Sequence, residues 1–568
     1  MTIELLCPAG ALANLKAAVA SGADAIYFGM PKFSARNYAK NFNKEYLTKL
    51  IQICKSNNVK TYLTMNTLIK NSEIQDFFKQ LKFAYLSGID AVIIQDPSLI
   101  KIIKKQFPEL KVHMSTQTGI LNSFHANLFS DSNRINLARE LSENQIKEIR
   151  KKFNKEIEIF VHGALCISIS GSCLFSSFIG GRSGNRGMCS QPCRKIYNKN
   201  YYLSTKELCL IKEINNIKKL NINSIKIEGR MRTPYYVAVT TSIYKQALNN
   251  PKFKITKEVL EKLNSAYSRE FTKGKFKEEN VFNRKNSQGI TNTQITEYKV
   301  KTKEIIINRK CNLNLPEISN KKNNDKKLLV RVYNKRDAIQ ADKNGADIIY
   351  LDLFDENFLE IKNSITKPLY AVTPRIMFDS DIEDIINKIN KLKPAGLVAG
   401  NLGILKLNLK IPIHLDYNCN CFNDYSLSYF ENLNAFPIIS PELSIKELTE
   451  FKNKNFAVLV HGKIRLMTLA HELEKNKIKD EKGFEFIINK IKNGCEILNK
   501  KEIGFFNKSK NLLNSDITNF YIDTDKNVGN IVKIYRNILD GKTIDVSDIK
   551  NNYVLGWSKE GVLDFENN

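Results

Sequence analysis

The sequence predicts an α/β protein: a (β/α)8 TIM-type barrel followed by a second, degenerate (β/α)8-like repeat. Three observations carry this prediction. Short β-branched runs alternate with amphipathic helical stretches along most of the 568 residues. Each half holds about eight such strand–helix units, the number in a closed barrel. Motifs of the first half recur in the same order in the second half.

In the amino-terminal half, the sequence predicts eight buried strands. An open doubly wound sheet is the alternative, but it usually has fewer strands and a switch point in strand order. The predicted strands are 3–8, 25–29, 61–66, 91–96, 112–117, 134–140, 158–163 and 224–230.

The second half repeats the pattern, which indicates an internal duplication. GADAIYFG at 22–29 matches GADIIYLD at 345–352, and IFVHG matches VLVHG. The pairs His113/His414, Glu140/Glu442 and His162/His461 are separated by 301, 302 and 299 residues. The predicted strands are 328–333, 348–352, 369–374, 396–400, 411–416, 436–442, 457–462 and 517–523.

These patterns divide the chain into five segments. Residues 1–250 form the first barrel, 251–300 an appendage, 301–327 a Lys/Asn-rich linker, 328–525 the second repeat and 526–568 a carboxyl-terminal tail. Only the first copy continues after its VHG motif into a cysteine-rich stretch. We therefore expect the chemistry in the first copy, with the second copy a degenerate partner or docking surface.

Composition narrows the class of protein. A net charge of +28 favours contact with a polyanion such as RNA, although a bias toward Lys, Asn and Ile can also come from A/T-rich coding. No apolar run is long enough to cross a bilayer, and the first residues lack a secretion signal. We expect a cytoplasmic protein without a membrane partner, whose 11 cysteines are reduced thiols or metal ligands.

Four cysteines are crowded into the stretch that follows the seventh predicted strand. Cys166, Cys173, Cys189 and Cys193 have the spacing C-x6-C-x15-C-x3-C, with glycines between them. Glycine lets the backbone wrap closely around an inorganic centre. The spacing lacks the paired CxxC of structural zinc sites, so it favours an iron–sulfur cluster, with zinc and unligated thiols as the alternatives.

Polar residues end the predicted strands and surround the barrel mouth. Glu140, His162 and Glu228 are candidates for proton handling, although rim carboxylates also form ion pairs and a buried histidine is often structural. Arginines flank the cysteines, and they either offset thiolate charge or hold a carboxylate or phosphate ligand. The candidates for ligand binding are Arg186, Arg194 and Arg230.

Several motifs give the chain a family resemblance. ELLCPAGALANLKAAVASGADAIYFG, HMSTQTGILN, GALC…SGSC…GGRSGNRGMCSQPCR and SIKIEGRMRTPYYVA resemble the peptidase U32 family, also called collagenase-like proteases. This resemblance covers nearly all of residues 1–300. The second half, with TPRIMFD, AGNLG and VHGKIRLM, is similar to the carboxyl-terminal repeat of the long members.

The resemblance implies two incompatible activities. The family name implies proteolysis, whereas members with RNA roles support hydroxylation of a pyrimidine in tRNA or rRNA, using a 4Fe-4S cluster and prephenate. In such members the matching cysteines bind the cluster, which carries over to Cys166, Cys173, Cys189 and Cys193. Arg186, Arg194 and Arg230 are then expected to hold prephenate carboxylates or RNA phosphate.

The residues favour RNA hydroxylation over proteolysis. The sequence contains no HExxH and no GxSxG nucleophile elbow, while a pair of Cys173 with His162 would leave the other three cysteines unexplained. A redox centre, a basic surface and a polar pocket are what hydroxylation of a base requires. A U32-type peptidase and a non-catalytic iron–sulfur scaffold remain as alternatives.

Overall fold

The computed structural model describes residues 2–286, 289–294, 296–322, 325–506, 508–542 and 553–564. None of the helices in these ranges is long and apolar enough to span a bilayer. The first repeat and its appendage contain β1 (Glu4–Pro8), α1 (Leu12–Ala20), β2 (Ala25–Gly29), α2 (Lys44–Ser56), β3 (Lys60–Met65), α3 (Ile74–Ser87), β4 (Ala91–Ile94), α4 (Leu99–Gln106), β5 (Lys111–Met114), α5 (Ser123–Leu128), β6 (Arg134–Asn136), α6 (Glu143–Lys152), β7 (Glu156–Ala164), α7 (Phe175–Gly180), β8 (Glu207–Cys209), α8 (Ile214–Lys219), β9 (Ser224–Ile227), α9 (Pro234–Asn249), α10 (Lys257–Ala266), β10 (Tyr267–Ser268), β11 (Phe271–Thr272) and β12 (Ile290–Thr291).

The second repeat follows an extended linker. It contains β13 (Leu328–Arg331), α11 (Lys335–Lys343), β14 (Ile348–Asp352), α12 (Phe358–Ser364), β15 (Leu369–Val372), α13 (Ile382–Leu392), β16 (Gly396–Ala399), β17 (Ile413–Leu415), α14 (Asp424–Glu431), β18 (Ala435–Pro437), α15 (Ile445–Thr449), β19 (Val458–Gly462), β20 (Arg465–Leu469), β21 (Lys477–Lys479), β22 (Glu485–Ile491), β23 (Gly494–Asn499), β24 (Ile503–Gly504), α16 (Ser509–Leu513), β25 (Phe520–Asp523) and α17 (Val528–Leu539).

Eight strands of the first repeat form a closed, all-parallel barrel. The order runs from β1 to β7, and β9 pairs with both β7 and β1 to complete the ring. This closure confirms the predicted TIM-type barrel, and the open doubly wound alternative is wrong because the sheet has no free edge in the ring. β8 runs antiparallel to the carboxyl end of β7 and extends the rim of the barrel mouth.

Charged side chains fill the amino-terminal half of the first barrel. Arg134 lies 2.6 Å from Glu4 and 3.3 Å from Glu158, which also pairs with Lys226 at 3.0 Å. All four residues are buried. Because each of these charges has a partner, the network closes this end of the barrel, and the opposite end is left for the site.

The second repeat is a curled copy of the same sheet. β13 to β18 pair in order, while β25 joins β13 to β19, again with parallel pairings. The edges β18 and β19 meet at one parallel bridge between Ile438 and Ala457, where the Ile439 N–H donates to the Ala457 carbonyl at 2.9 Å. All eight predicted strands are therefore present in each repeat, and the second ring is closed by a bridge instead of a full ladder.

Helix α17 lies in the segment predicted as the tail, 526–568. It packs against α11 and β13, so it is the last helix of the second repeat. Residues 553–564 return to the first repeat, where the Leu563 N–H donates to the Gly181 carbonyl at 3.0 Å. The parts of the predicted tail at 543–552 and 565–568 lie outside the described residues.

A four-stranded antiparallel sheet is inserted after β19, and sequence reasoning did not predict it. Its strand order is β20-β23-β22-β21. The insertion occupies the same place in the second repeat that the cysteine stretch occupies after β7 in the first repeat. The two copies therefore differ most at equivalent loops.

The carboxyl-terminal ends of the two barrels face each other through reciprocal contacts. Asn122, after β5, donates to the Met377 carbonyl at 2.8 Å, and its counterpart Asn423, after β17, donates to the Ile69 carbonyl at 3.0 Å. Each asparagine also caps the helix that follows it. In a two-fold interface, each contact between two residues is repeated by the equivalent residues of the two copies. The duplicated halves thus pack as a pseudo-symmetric pair within one chain.

Candidate functional site

Glycines allow the cysteine stretch to lie directly against the barrel mouth. Gly171 has a φ of +88°, and a Cβ atom there would lie 1.9 Å from the Gln117 carbonyl oxygen. Gly187 has a φ of +80°, and its Cβ would lie 2.0 Å from the carbonyl oxygen of Ser34. Any side chain at these positions would push the loop off the loops after β2 and β5. The glycines noted in the sequence therefore serve to place the loop.

The stretch brings its four cysteines close together. Burial raises the pKa of Cys173, and the neighbouring thiols of Cys166, Cys189 and Cys193 raise it further. Burial raises the pKa of Cys193 to about 12, with Arg194 opposing the shift and the thiols of Cys166 and Cys189 adding to it. Each thiol is thus within electrostatic range of the others. All four are free of disulfides, and Cys189 is exposed.

The donor set suits a cluster of several irons. Gly184 packs against Cys189, whose Sγ would lie 3.9 Å from an added Cβ, and the Gln191 N–H donates to that Sγ at 3.3 Å. In the described residues, no three His, Cys, Asp or Glu side chains form a group that could hold one metal ion. Four cysteine thiolates are the ligand set of a 4Fe-4S cluster. Cys166, Cys173, Cys189 and Cys193 are the residues that would hold it.

An open cleft of about 490 Å³ leads to Cys189. Tyr38 and Met231 are 44% and 55% exposed there, so the cleft offers an aromatic and an aliphatic surface beside its cations. None of the described residues that line it is acidic. The lining residues are Tyr38, Arg182, Cys189, Ser190, Gln191, Arg194, Lys195 and Met231.

The structure places the three predicted ligand-binding arginines in different surroundings. Arg194 lines the cleft, although it also donates to Ser204 and to the Thr205 carbonyl at 3.0 and 2.6 Å. Arg186 is fully buried and pairs with Glu73 at 2.6 and 2.8 Å. Arg230 is also buried and donates to Thr64 of β3 at 3.0 Å and to Ser34 and Asn41 of the loop after β2. Arg186 and Arg230 therefore brace loops around the mouth, and Arg194 alone of the three reaches the cleft.

Glu140 lies beside Cys166, whereas Glu228 is linked to the cysteines through Arg36. Glu140 shares a cavity of about 10 Å³ with Cys166, and among the described residues neither of its oxygens has a well-aligned hydrogen-bond donor. Burial raises the pKa of Glu140 to about 7. Glu228 is 3.4 Å from Arg36, whose own pKa is raised chiefly by Glu228 and further by Cys189 and Cys166. For Glu228 burial opposes ionisation, but Arg36 and its neighbours hold the pKa below its ordinary value.

His162 lies apart from these groups. Its ring is buried among aromatic side chains, 5.5 Å from the ring of Tyr244 and 5.6 Å from that of Phe271. Burial lowers the pKa of His162 to about 3, so the imidazole is neutral at physiological pH. Its environment is that of a core histidine, and its predicted part in proton handling gains no support from the geometry.

Sequence reasoning missed Tyr38, Lys195 and Met231 of the cleft, and Arg36, which pairs with Glu228. Arg36 and Tyr38 come from the loop after β2, and Lys195 and Met231 come from the loops after α7 and β9. The stretch FSARNYAK, with two cations around an exposed tyrosine at the end of a predicted strand, is the signal that could have pointed to the first pair. Lys195 and Met231 carry no such signal, because only the fold brings them to Cys189.

The mouth of the second repeat is filled by paired charges. Arg375 binds Asp416 through two hydrogen bonds of 2.9 Å, and Arg465 pairs with Glu496 at 3.0 Å and with Asp523. These five residues are all buried. Paired charges therefore occupy this mouth, whereas the open cleft beside Cys189 belongs to the first repeat.

Comparison with known proteins places the first repeat in a family. The model of peptidase family U32 matches residues 10–286. An uncharacterized protease of Methanocaldococcus jannaschii is 40% identical over 44% of this chain and 65% of its own length. The tRNA hydroxylation protein P1 of Bacillus subtilis is 35% identical over 47% of this chain and 69% of its own length.

A third relative carries out chemistry on ribosomal RNA. The 23S rRNA 5-hydroxycytidine C2501 synthase of Escherichia coli is 35% identical over 44% of this chain, but the match spans only 39% of that protein. The relatives thus bear names from two kinds of chemistry, proteolysis and RNA hydroxylation. What they share is the family, and the chain belongs to peptidase family U32.

Proposed function

We propose that the chain is an iron–sulfur enzyme that supports hydroxylation of a pyrimidine in tRNA or rRNA, with prephenate as a candidate co-substrate. The observation that carries the proposal is the position of Cys189. This exposed thiol belongs to the set of four neighbouring cysteines and also forms part of a cation-lined cleft. The proposed redox centre and the proposed binding surface for an anion would therefore share one residue.

The cleft fits an unpaired nucleotide. In the described part of the chain, neither Arg182 nor Lys195 forms an ion pair with an acidic side chain, so both are available to phosphate. The exposed ring of Tyr38 offers a face on which a base can stack. Single-stranded RNA is recognised by this combination of cations and aromatic faces. The same cations suit the carboxylates of prephenate.

Each group of the site has a task in this chemistry. Hydroxylation replaces a C–H bond by C–OH; with water as the oxygen source it releases two protons and two electrons, and a two-electron acceptor must take up the electrons. A cluster bound by the cysteines would pass these electrons on one at a time. Arg194 and Lys195 hold the anionic partner beside Cys189, while Glu140 or Glu228 can accept the proton that leaves the base.

The test begins with anaerobic purification and measurement of iron and sulfide. We expect about four of each per chain, with a marked loss in Cys189→Ser and no loss in the control Cys311→Ser, which removes a linker thiol. Nucleosides of tRNA and rRNA from cells lacking the protein should lose one hydroxylated pyrimidine, restored by the wild-type chain and not by Cys189→Ser. Iron-free wild-type protein, or unchanged nucleosides, would contradict the proposal.

The peptidase alternative finds little support in the histidines. All six are described; His162, His414 and His461 each face a tyrosine hydroxyl at 2.5–3.5 Å. Among the described residues, His113 and His125 have no partner for either ring nitrogen. His471 packs against Phe282 and lines the cavity that Glu140 shares with Cys166, but in the described part of the chain it forms no hydrogen bond with either. A cysteine or serine nucleophile needs a histidine or equivalent base within hydrogen-bond reach. Gelatin digestion that persists after removal of iron would favour proteolysis, and hydroxylation of unmodified RNA by the purified protein would separate an enzyme from a scaffold.

A further inference from the structure

Part of the cysteine stretch is held by the second repeat instead of its own barrel. The Ile169 N–H donates to the Thr468 carbonyl at 2.9 Å, and the Leu174 N–H donates to the Leu466 carbonyl at 2.7 Å. Between them Cys173 forms an antiparallel bridge with Met467. Residues 169 and 174 are therefore tied to β20 on either side of a turn, and the backbone of Cys173 is fixed from the second repeat.

A second contact fixes the segment around Cys193. The ring of Phe486, in β22, lies 4.8 Å from that of Phe175 and 6.3 Å from that of Tyr197. The Tyr197 hydroxyl donates to the Pro192 carbonyl at 3.0 Å, one residue before Cys193. The Asn198 N–H donates to the Lys479 carbonyl at 3.0 Å. The inserted sheet thus contacts the cysteine stretch near Phe175 and near Tyr197 through the buried side chain of Phe486.

The other two cysteines are fixed by the first barrel. Next to Cys166, the Leu165 carbonyl accepts a hydrogen bond of 2.8 Å from Thr205. Near Cys189, the Gly187 carbonyl accepts one of 3.1 Å from the Asn37 N–H. The four thiols are therefore divided in pairs between the two repeats, and their mutual geometry depends on the interface.

We propose that the inserted sheet β20–β23 is a positioning element for the cysteine site, through which the second repeat sets the placement of Cys173 and Cys193 and shields them from solvent. For the bound cluster this inference rests on the proposed function. The part of the inference that concerns the thiols does not rest on the proposed function, because the packing of the thiols exists in the apoprotein. The second repeat then acts as a built-in partner whose own mouth needs no chemistry.

Phe486→Ala in the full chain tests the inference, with Phe358→Ala as the matched control. Phe358 is an equally buried aromatic residue of the same repeat, in the outer helix α12. In apoprotein, alkylation of each cysteine is followed by mass spectrometry. We expect Phe486→Ala to speed the alkylation of Cys173 and Cys193 by about tenfold relative to Cys54, as local opening becomes easier. Phe358→Ala should leave this ratio unchanged.

The loaded protein gives the second readout. We expect a shifted electron paramagnetic resonance spectrum and faster loss of iron in air for Phe486→Ala, and wild-type behaviour for Phe358→Ala. Phe486→Leu keeps an apolar side chain but loses the ring contacts with Phe175 and Tyr197, so it should speed the alkylation of both cysteines by a smaller but measurable factor. This variant decides the question if the alanine variant does not fold. Unchanged alkylation of Cys173 and Cys193 in both Phe486 variants would overturn the inference. A chain that never binds iron but shows the expected alkylation would overturn the proposed function and leave the positioning role intact.

Discussion

Replacing Asp523 by asparagine tests whether paired charges hold the second mouth together. Asp523 ends β25 and is 1% exposed. It accepts hydrogen bonds from Tyr333 at 2.5 Å and Tyr521 at 3.0 Å, and it pairs with Arg465. Asparagine keeps the size of the side chain and removes its charge, so the arginine is left buried with fewer partners.

The magnitude follows from the pKa of the carboxyl. Burial opposes ionisation of Asp523, but Arg465 and Arg331 lower its pKa to about 2. Against an unfolded value of about 3.9, this shift corresponds to about 2.6 kcal/mol of stability. Because the folded pKa is depressed, that stability is present above about pH 5 and is lost as the pH falls toward 2. Removing one partner of a buried pair costs more, about 3–5 kcal/mol, since the other charge remains buried.

Urea unfolding followed by circular dichroism measures both effects. At pH 7 we expect Asp523→Asn to lose about 3–5 kcal/mol, whereas Asp525→Asn, which breaks an exposed pair with Lys463, should lose less than about 1 kcal/mol. The gap between wild type and Asp523→Asn should narrow between pH 7 and pH 3. A gap that is equal at the two pH values, or a loss at pH 7 no larger than that of the control, would refute the reasoning.

Three further predictions concern the first mouth. Tyr38→Ala should weaken binding of single-stranded RNA by about 1–3 kcal/mol, measured by fluorescence anisotropy, with Tyr38→Phe retaining affinity because a phenyl ring still stacks. Arg182→Ala and Lys195→Ala should each lower the slope of log affinity against log salt by about one; an unchanged slope would place the phosphate elsewhere. Gly171→Ala, whose Cβ would meet the Gln117 carbonyl, should reduce iron content while circular dichroism shows the barrels intact.

The fold could be predicted from the sequence because its strands are buried on both faces. Runs such as AVIIQD and GLVAG are continuous and apolar, flanked by helical periodicity, so strand positions were accessible even without an alignment. The inserted sheet was missed although KNGC, at the turn between β22 and β23, carries a hairpin signal: Asn493 has a φ of +67° before Gly494. β20 and β23 are buried throughout and β21 and β22 are partly exposed, but no strand is predicted from the sequence between residues 462 and 517.

The site was only partly accessible from the sequence. The four cysteines could be identified because thiols crowded between glycines are unusual. The arginines could not be sorted, because sequence does not distinguish a guanidinium that binds protein carbonyls and carboxylates, such as Arg186, from one that faces solvent, such as Arg182. The contribution of β20 and Phe486 to the cysteine site could not be predicted for a related reason. These residues lie about 300 positions away from the cysteines in the sequence, and their contacts depend on how the two barrels meet.

The two barrels that meet through the reciprocal contacts of Asn122 and Asn423 are joined in one chain, and this covalent link lets their sequences diverge independently. In a dimer of identical barrels, any substitution alters both mouths at once, so neither can specialise. Joined in one polypeptide, the halves meet at a high effective concentration whatever the dilution, and each can change separately. One half could exchange its thiols for a β-sheet that grips the loop of the other, which turns a symmetric pair into a division of labour.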